Sequence, residues 1–96
     1  MPCKVIGLIQ VKDQAAFDTY RMQVGDTLTR FDGQILRRGK IADMPWNELR
    51  IAPCEAMVEI EFPTIEAAKQ WANSPEYQNL LRIRERAMDL SLILSE

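Results

Sequence analysis

Five residues of this 96-residue chain have the types and spacing to do chemistry: Tyr20, Arg38, Trp71, Tyr77 and Arg84. Arg84 follows Tyr77, Leu80 and Leu81 at helical spacing, so its guanidinium turns toward an apolar face. There it must snorkel, pair with a carboxylate or receive an anion. Arg37 and Arg38 occupy opposite faces of an extended segment, so one of them points toward the helices in either register. A salt bridge from Arg38 to Glu59 or Glu61 on the neighbouring strand is the structural alternative to a ligand-binding role. Trp71 and Tyr77 flank a helix break, and each joins a flat apolar surface to a polar handle. That suits aromatic core packing or the wall of a pocket for a planar ring, with Tyr20 as a further wall. Glu59 and Glu61 share a strand face and could divide acid and base work, although carboxylates beside arginines are ordinary structural partners. Trp46, in a long connection, fits a lid over such a pocket or an anchor on a partner subunit.

The composition excludes much else. With no histidine and only Cys3 and Cys54, a typical zinc site, a histidine-ligated haem and a histidine-activated nucleophile are ruled out, and no cofactor is expected. A carboxylate-only magnesium or manganese site has no support in the spacing. A net charge of −2 and a pI near 5.2 argue against nucleic acid, which needs a basic field. No apolar run approaches the ~20 residues of a membrane span, and the opening MPCKVIGLIQV carries no small-residue cleavage site. A cytoplasmic protein, free of membrane, is expected.

Positioning these residues requires a sheet and helices. Cys3 to Val11 reads as a central strand, with Val5, Ile9 and Val11 on one face and Ile6 and Leu8 on the other. Asp13 caps a helix whose stripe is Phe17, Tyr20, Val24, Leu28 and Phe31, with Asp18, Arg21, Asp26 and Arg30 facing solvent. Asp32-Gly33 turns the chain, with glycine tolerating positive φ, into a second strand over Gln34 to Lys40. Ala42 to Pro53 is a hairpin connection of about twelve residues, long enough to suggest a functional role. Ala56, Val58, Ile60 and Phe62 alternate with glutamates as a third strand, which Pro63 stops. Thr64 caps a second helix, and Ser74-Pro75-Glu76 starts a third. Met88 to Leu94 closes the chain as a fourth strand with Met88, Leu90, Leu92 and Leu94 on its apolar side.

The order βαββααβ predicts a ferredoxin-like α+β domain, a four-stranded antiparallel sheet in the order 4-1-3-2. Cys3 and Cys54 then begin antiparallel neighbours at opposite ends, ~20 Å or more apart, too far for a disulfide. Helices cover one sheet face only, so the apolar residues on the far side of the first strand favour a homodimer stacked sheet against sheet.

The segment Ile60-Glu61-Phe62-Pro63-Thr64, with Glu66, Ala68, Trp71, Ser74-Pro75-Glu76-Tyr77-Gln78 and Arg84, is similar to the signature of the small DUF1330 family of unknown function. Asp13, Phe17 and Tyr20 resemble the family's first helix, and Phe31-Asp32-Gly33-Gln34 with Leu36, Arg38 and Gly39 resembles its YGG-x-x-L-x-RGG segment. The likeness spans nearly the whole chain. Two departures stand out: Lys40 replaces the second glycine of RGG, and the Trp46–Cys54 loop is longer than the pattern. The resemblance implies one domain over residues 1–96, a subunit of the dimeric α/β-barrel superfold, and brings no assigned activity. Related members of that superfold include cofactor-free monooxygenases and lactone isomerases.

Together these readings favour a homodimer whose pocket, between sheet and helices, binds a small anionic or aromatic metabolite. Arg38 and Arg84 would be charge partners and Tyr20, Trp71 and Tyr77 walls, with a cofactor-free oxidation or isomerisation as the reaction to test. The alternative is a non-catalytic ligand-sensing or assembly module whose pocket is filled by its own side chains.

Overall fold

The computed structural model describes all residues from 1 to 96. Four strands, β1 (Cys3–Val11), β2 (Gln34–Lys40), β3 (Ala56–Phe62) and β4 (Met88–Ser95), form one antiparallel sheet in the order β2-β3-β1-β4. This is the expected 4-1-3-2 order read from the other edge. Helix α1 (Gln14–Leu28) crosses from β1 to β2, and α2 (Ile65–Ala72), α3 (Pro75–Gln78) and α4 (Leu81–Ala87) connect β3 to β4. The architecture is therefore the ferredoxin-like α+β fold.

Local chemistry sets each boundary. Asp13 accepts a hydrogen bond from the Ala16 amide at 3.1 Å, and Thr64 accepts one from the Ala67 amide at 3.1 Å, so both longer helices start on satisfied caps. Ser74 does the same for α3, with Pro75 in the first turn, where its missing N–H costs no bond. The single helix expected from Ser74 onward is instead two. The Leu80 amide bonds the Tyr77 carbonyl, a tightened turn that ends α3 before α4 resumes.

Two further expectations are corrected at the α1–β2 junction. The helix runs on as a 3₁₀ turn over Thr29–Phe31, and it is Asp32, not Gly33, that takes the left-handed conformation, at φ 57°. Aspartate tolerates that region better than most side chains. Gly33 serves packing: a β-carbon there would stand 2.6 Å from Cε1 of Phe62.

Sheet register decides which residues look inward. Val5, Gly7 and Ile9 of β1 pair with Ile60, Val58 and Ala56 of β3 and with Leu94, Leu92 and Leu90 of β4, and this row faces the helices. Phe17, Tyr20, Val24 and Leu28 of α1 close over it with Trp71, Tyr77 and Leu80 to make the buried core. Lys4, Ile6 and Leu8, with Glu61, Glu59, Met57 and Ile93, form the opposite face, which no helix covers. Cys3 pairs with Phe62 while Cys54 precedes the Ala56–Ile9 pair, so the two free thiols lie at opposite ends of the β1–β3 ladder.

Candidate functional site

A bulge in β2 sets the site's charge. Ile35 pairs with Ile60 and Arg37 with Glu59, leaving Leu36 as the extra residue. Strict alternation would put Ile35 and Arg37 on one face. The bulge puts Ile35 and Arg38 there, because Arg38 pairs with Val58 of the helix-facing row. Glu59 and Glu61 are on the other face, so the expected salt bridge from Arg38 does not form; Glu61 pairs with Lys4 at 3.7 Å. Arg38 instead donates from Nη2 to the Arg21 carbonyl at 3.3 Å and stays exposed.

Between α1 and the helix-facing sheet lies a cleft of about 670 Å³, within the usual ~300–1,000 Å³ of small-molecule sites. Apolar side chains dominate its lining: Phe17, Val24, Val58, Leu90 and Leu92, with Tyr20 and Trp71 as the aromatic walls. Its charged groups are three cations, Arg21, Arg38 and Lys40, against one carboxylate, Glu55. In a chain of net charge −2, that is a local reversal of sign. Glu55 also accepts a bond from the Val11 amide at 3.3 Å.

Three of the five residues singled out from sequence, Tyr20, Arg38 and Trp71, line this cleft. Tyr77 and Arg84 do not. They form a polar chain behind Tyr20: Arg84 donates from Nη1 to the Tyr77 hydroxyl at 3.0 Å, and the Tyr77 and Tyr20 hydroxyls are 2.9 Å apart. Arg84 is half-buried and has no carboxylate partner, and its guanidinium lies 5.7 Å from the centre of the Tyr77 ring. Burial, reinforced by the neighbouring Tyr77 hydroxyl, pushes the Tyr20 phenol well above the usual tyrosine range, against the smaller opposing pull of Arg84 and Arg38. Tyr20 is therefore a protonated group, a donor rather than a base.

Trp71 is almost wholly buried, with its ring centre 4.5 Å from Tyr77 and 5.4 Å from Phe62. Core packing and pocket lining thus coincide in one residue. Trp46 does not line the cleft: it is 79% exposed, on a loop pinned by two hydrogen bonds between Asn47 and Ile51. The loop departs at Lys40 and returns at Glu55, both lining residues, so it borders the cleft mouth.

The sequence reading missed Arg21, Lys40 and Glu55. Arg21 is exposed on the outer helix face, as expected, and from there its guanidinium lies 5.1 Å from the centre of the Phe17 ring and borders the cleft. The four-residue Phe17–Arg21 spacing was the available signal. No cluster of three or more metal-ligating side chains forms, and no helix is long and apolar enough to cross a membrane.

The family model described as Domain of unknown function (DUF1330) matches residues 5–96. No curated protein matches the sequence. Among solved structures, RPA0582 of Rhodopseudomonas palustris, a protein of unknown function, superposes with a TM-score of 0.79 at 18% identity, over 98% of this chain and 80% of that one. SnoaB, a cofactor-independent oxygenase of Streptomyces nogalater, gives 0.69 at 11% identity, over 99% and 91% of the two chains. A dimeric ferredoxin-like protein of unknown function from Bacteroides fragilis gives 0.59 at 13% identity, over 99% and 95%. At these identities the likeness establishes the fold.

Proposed function

The chain belongs to the DUF1330 family, and on that footing we propose that it binds one small, flat, anionic metabolite in the cleft between α1 and the sheet. The observation that carries this reading is the pairing of an apolar, aromatic-walled cleft with a rim of Arg21, Arg38 and Lys40. An apolar wall rewards a ring, and cations unmatched by carboxylates favour an anion at its edge. Lys40, which stands where the second glycine of the family's RGG is usual, adds to that rim.

The working unit is a homodimer formed through the sheet face that carries Ile6, Leu8, Met57 and Ile93. A chain of 96 residues has a thin core, and burying that face would enlarge it. The dimeric B. fragilis neighbour supports this assembly by analogy of fold. SnoaB supports, by the same analogy, testing the ligand for oxidation without a cofactor. The competing reading, a sensor that binds without chemistry, is favoured by the lining itself, where Glu55 is the one carboxylate and no thiol is present.

A thermal-shift screen of metabolites tests the proposal. A ligand at ~100 times its dissociation constant adds about 2.7 kcal/mol of stability. Hits should be enriched in aromatic and conjugated acids. Arg38→Met, at an exposed position, should leave the unliganded melt within about 0.5 kcal/mol while reducing the response to acids. A broad screen with no hit, or hits indifferent to Arg38, would overturn the reading.

A further inference from the structure

Arg84, Tyr77 and Tyr20 make a hydrogen-bonded chain whose proton order can be deduced. Arginine only donates, so the Tyr77 oxygen accepts from Arg84 at 3.0 Å. The Tyr77 hydroxyl has one proton, and the only other hydroxyl or acceptor it meets is Tyr20, at 2.9 Å. If Tyr20 donated to Tyr77, the Tyr77 proton would be left without an acceptor in a side chain only 2% exposed, a costly arrangement. In the order Arg84 to Tyr77 to Tyr20 the proton without a protein acceptor is instead that of Tyr20, 7% exposed and on the cleft wall, where an occupant of the cleft can receive it. That leaves the Tyr20 proton unspent, and Tyr20 is the one member of the chain that lines the cleft.

We propose that Arg84 and Tyr77 act as positioning residues that aim the Tyr20 hydroxyl as a donor into the cleft, where it receives the oxygen of a phenolate or enolate on a flat conjugated frame. This rests on the cleft being the binding site. Each donor in the series is polarised by the one behind it, with a fixed positive charge at its head, so the last hydroxyl favours an acceptor bearing negative charge. A single oxygen attached to a ring matches one buried hydroxyl among aromatic walls, whereas a carboxylate is better met by the exposed cations of the rim. Holding such an oxygen as its anion is the stabilisation that a cofactor-free oxidation or isomerisation through an enolate requires.

The test follows the ionisation of 4-nitrophenol, whose phenolate absorbs in the visible, with 4-nitroanisole as the neutral control. In the wild-type protein the bound phenol should ionise at lower pH than the free one, equivalent to about tenfold tighter binding of phenolate than of phenol. Tyr20→Phe should cut that preference to the remainder set by the rim cations, and Tyr77→Phe and Arg84→Met should each reduce it severalfold, with 4-nitroanisole binding all four proteins alike. Tyr77→Phe removes a single oxygen and keeps the ring, so its readout stands if Arg84→Met proves unstable. Equal binding of phenol and phenolate by the wild type would overturn the inference and leave the cleft intact. A preference cut in Tyr20→Phe but unchanged in Tyr77→Phe would overturn the positioning chain. Failure of both probes to bind would instead count against the cleft as the site.

Discussion

The Trp71 indole N–H donates to Thr27 Oγ1 at 2.9 Å, and that hydroxyl passes its own proton to the Val24 carbonyl at 2.6 Å. Two buried side chains from α2 and α1 thereby satisfy each other across the back of the cleft, and Trp71 is held as a wall in one orientation. Thr27→Val keeps the shape and strands the indole N–H. The loss should be about 1–3 kcal/mol, the cost of an unpaired buried donor. Urea unfolding followed by tryptophan fluorescence measures it. A change below about 0.5 kcal/mol would mean that water replaces the threonine.

The ion pair of Arg30 with Glu76, at 2.9 and 3.1 Å, ties the end of the first helical segment to α3. The Arg30 hydrogen bond holds the Glu76 carboxyl below the usual glutamate range. A lowered native pKa means that the native state binds its proton less readily than the unfolded chain. The contribution is thus fully present above the ordinary glutamate range and lost as pH falls through the native value. Thermal melts between about pH 5 and pH 3 should therefore fall less steeply for Glu76→Gln than for the wild type. Parallel slopes would show that the pair is screened to insignificance.

Much of this was legible in the sequence, for reasons that differ by residue. Alternation in β1 and β3, the stripe Phe17-Tyr20-Val24-Leu28 and the caps Asp13, Thr64 and Ser74 gave strand order and helix starts, because each is a local rule that burial reinforces. The bulge at Leu36 was not legible: it inserts one residue without a glycine or proline to announce it, and only pairing with β3 reveals that Arg38 faces inward. Gly33 was misread because glycine signals both a permissive φ and a missing β-carbon, and Phe62, far away in sequence, needed the second. Arg84 could be placed on an apolar face from its spacing. That its partner is a tyrosine hydroxyl rather than a carboxylate depended on how α3 meets α1.

The uncovered sheet face carries the prediction of assembly. Ile93 is half exposed and pairs with Ile6 in the middle of that face. Sedimentation at micromolar concentration should give about twice the 11.1 kDa chain mass, and Ile93→Glu should shift it toward the monomer by placing an unpaired charge in an apolar contact. A stable wild-type monomer would refute the stacked dimer.

Methionine methyl groups report directly where a flat anion binds. Met88 is buried and lines the cleft, whereas Met22 is 82% exposed and does not line it. In a protein labelled with ¹³C at its methionine methyls, titration with 2-naphthoate should move the Met88 resonance to saturation and leave Met22 in place. The neutral 2-naphthamide should move Met88 more weakly, and in Arg38→Met the gap between the two ligands should narrow. A stationary Met88 under saturating naphthoate, or a response confined to Met22, would contradict the cleft as the binding site.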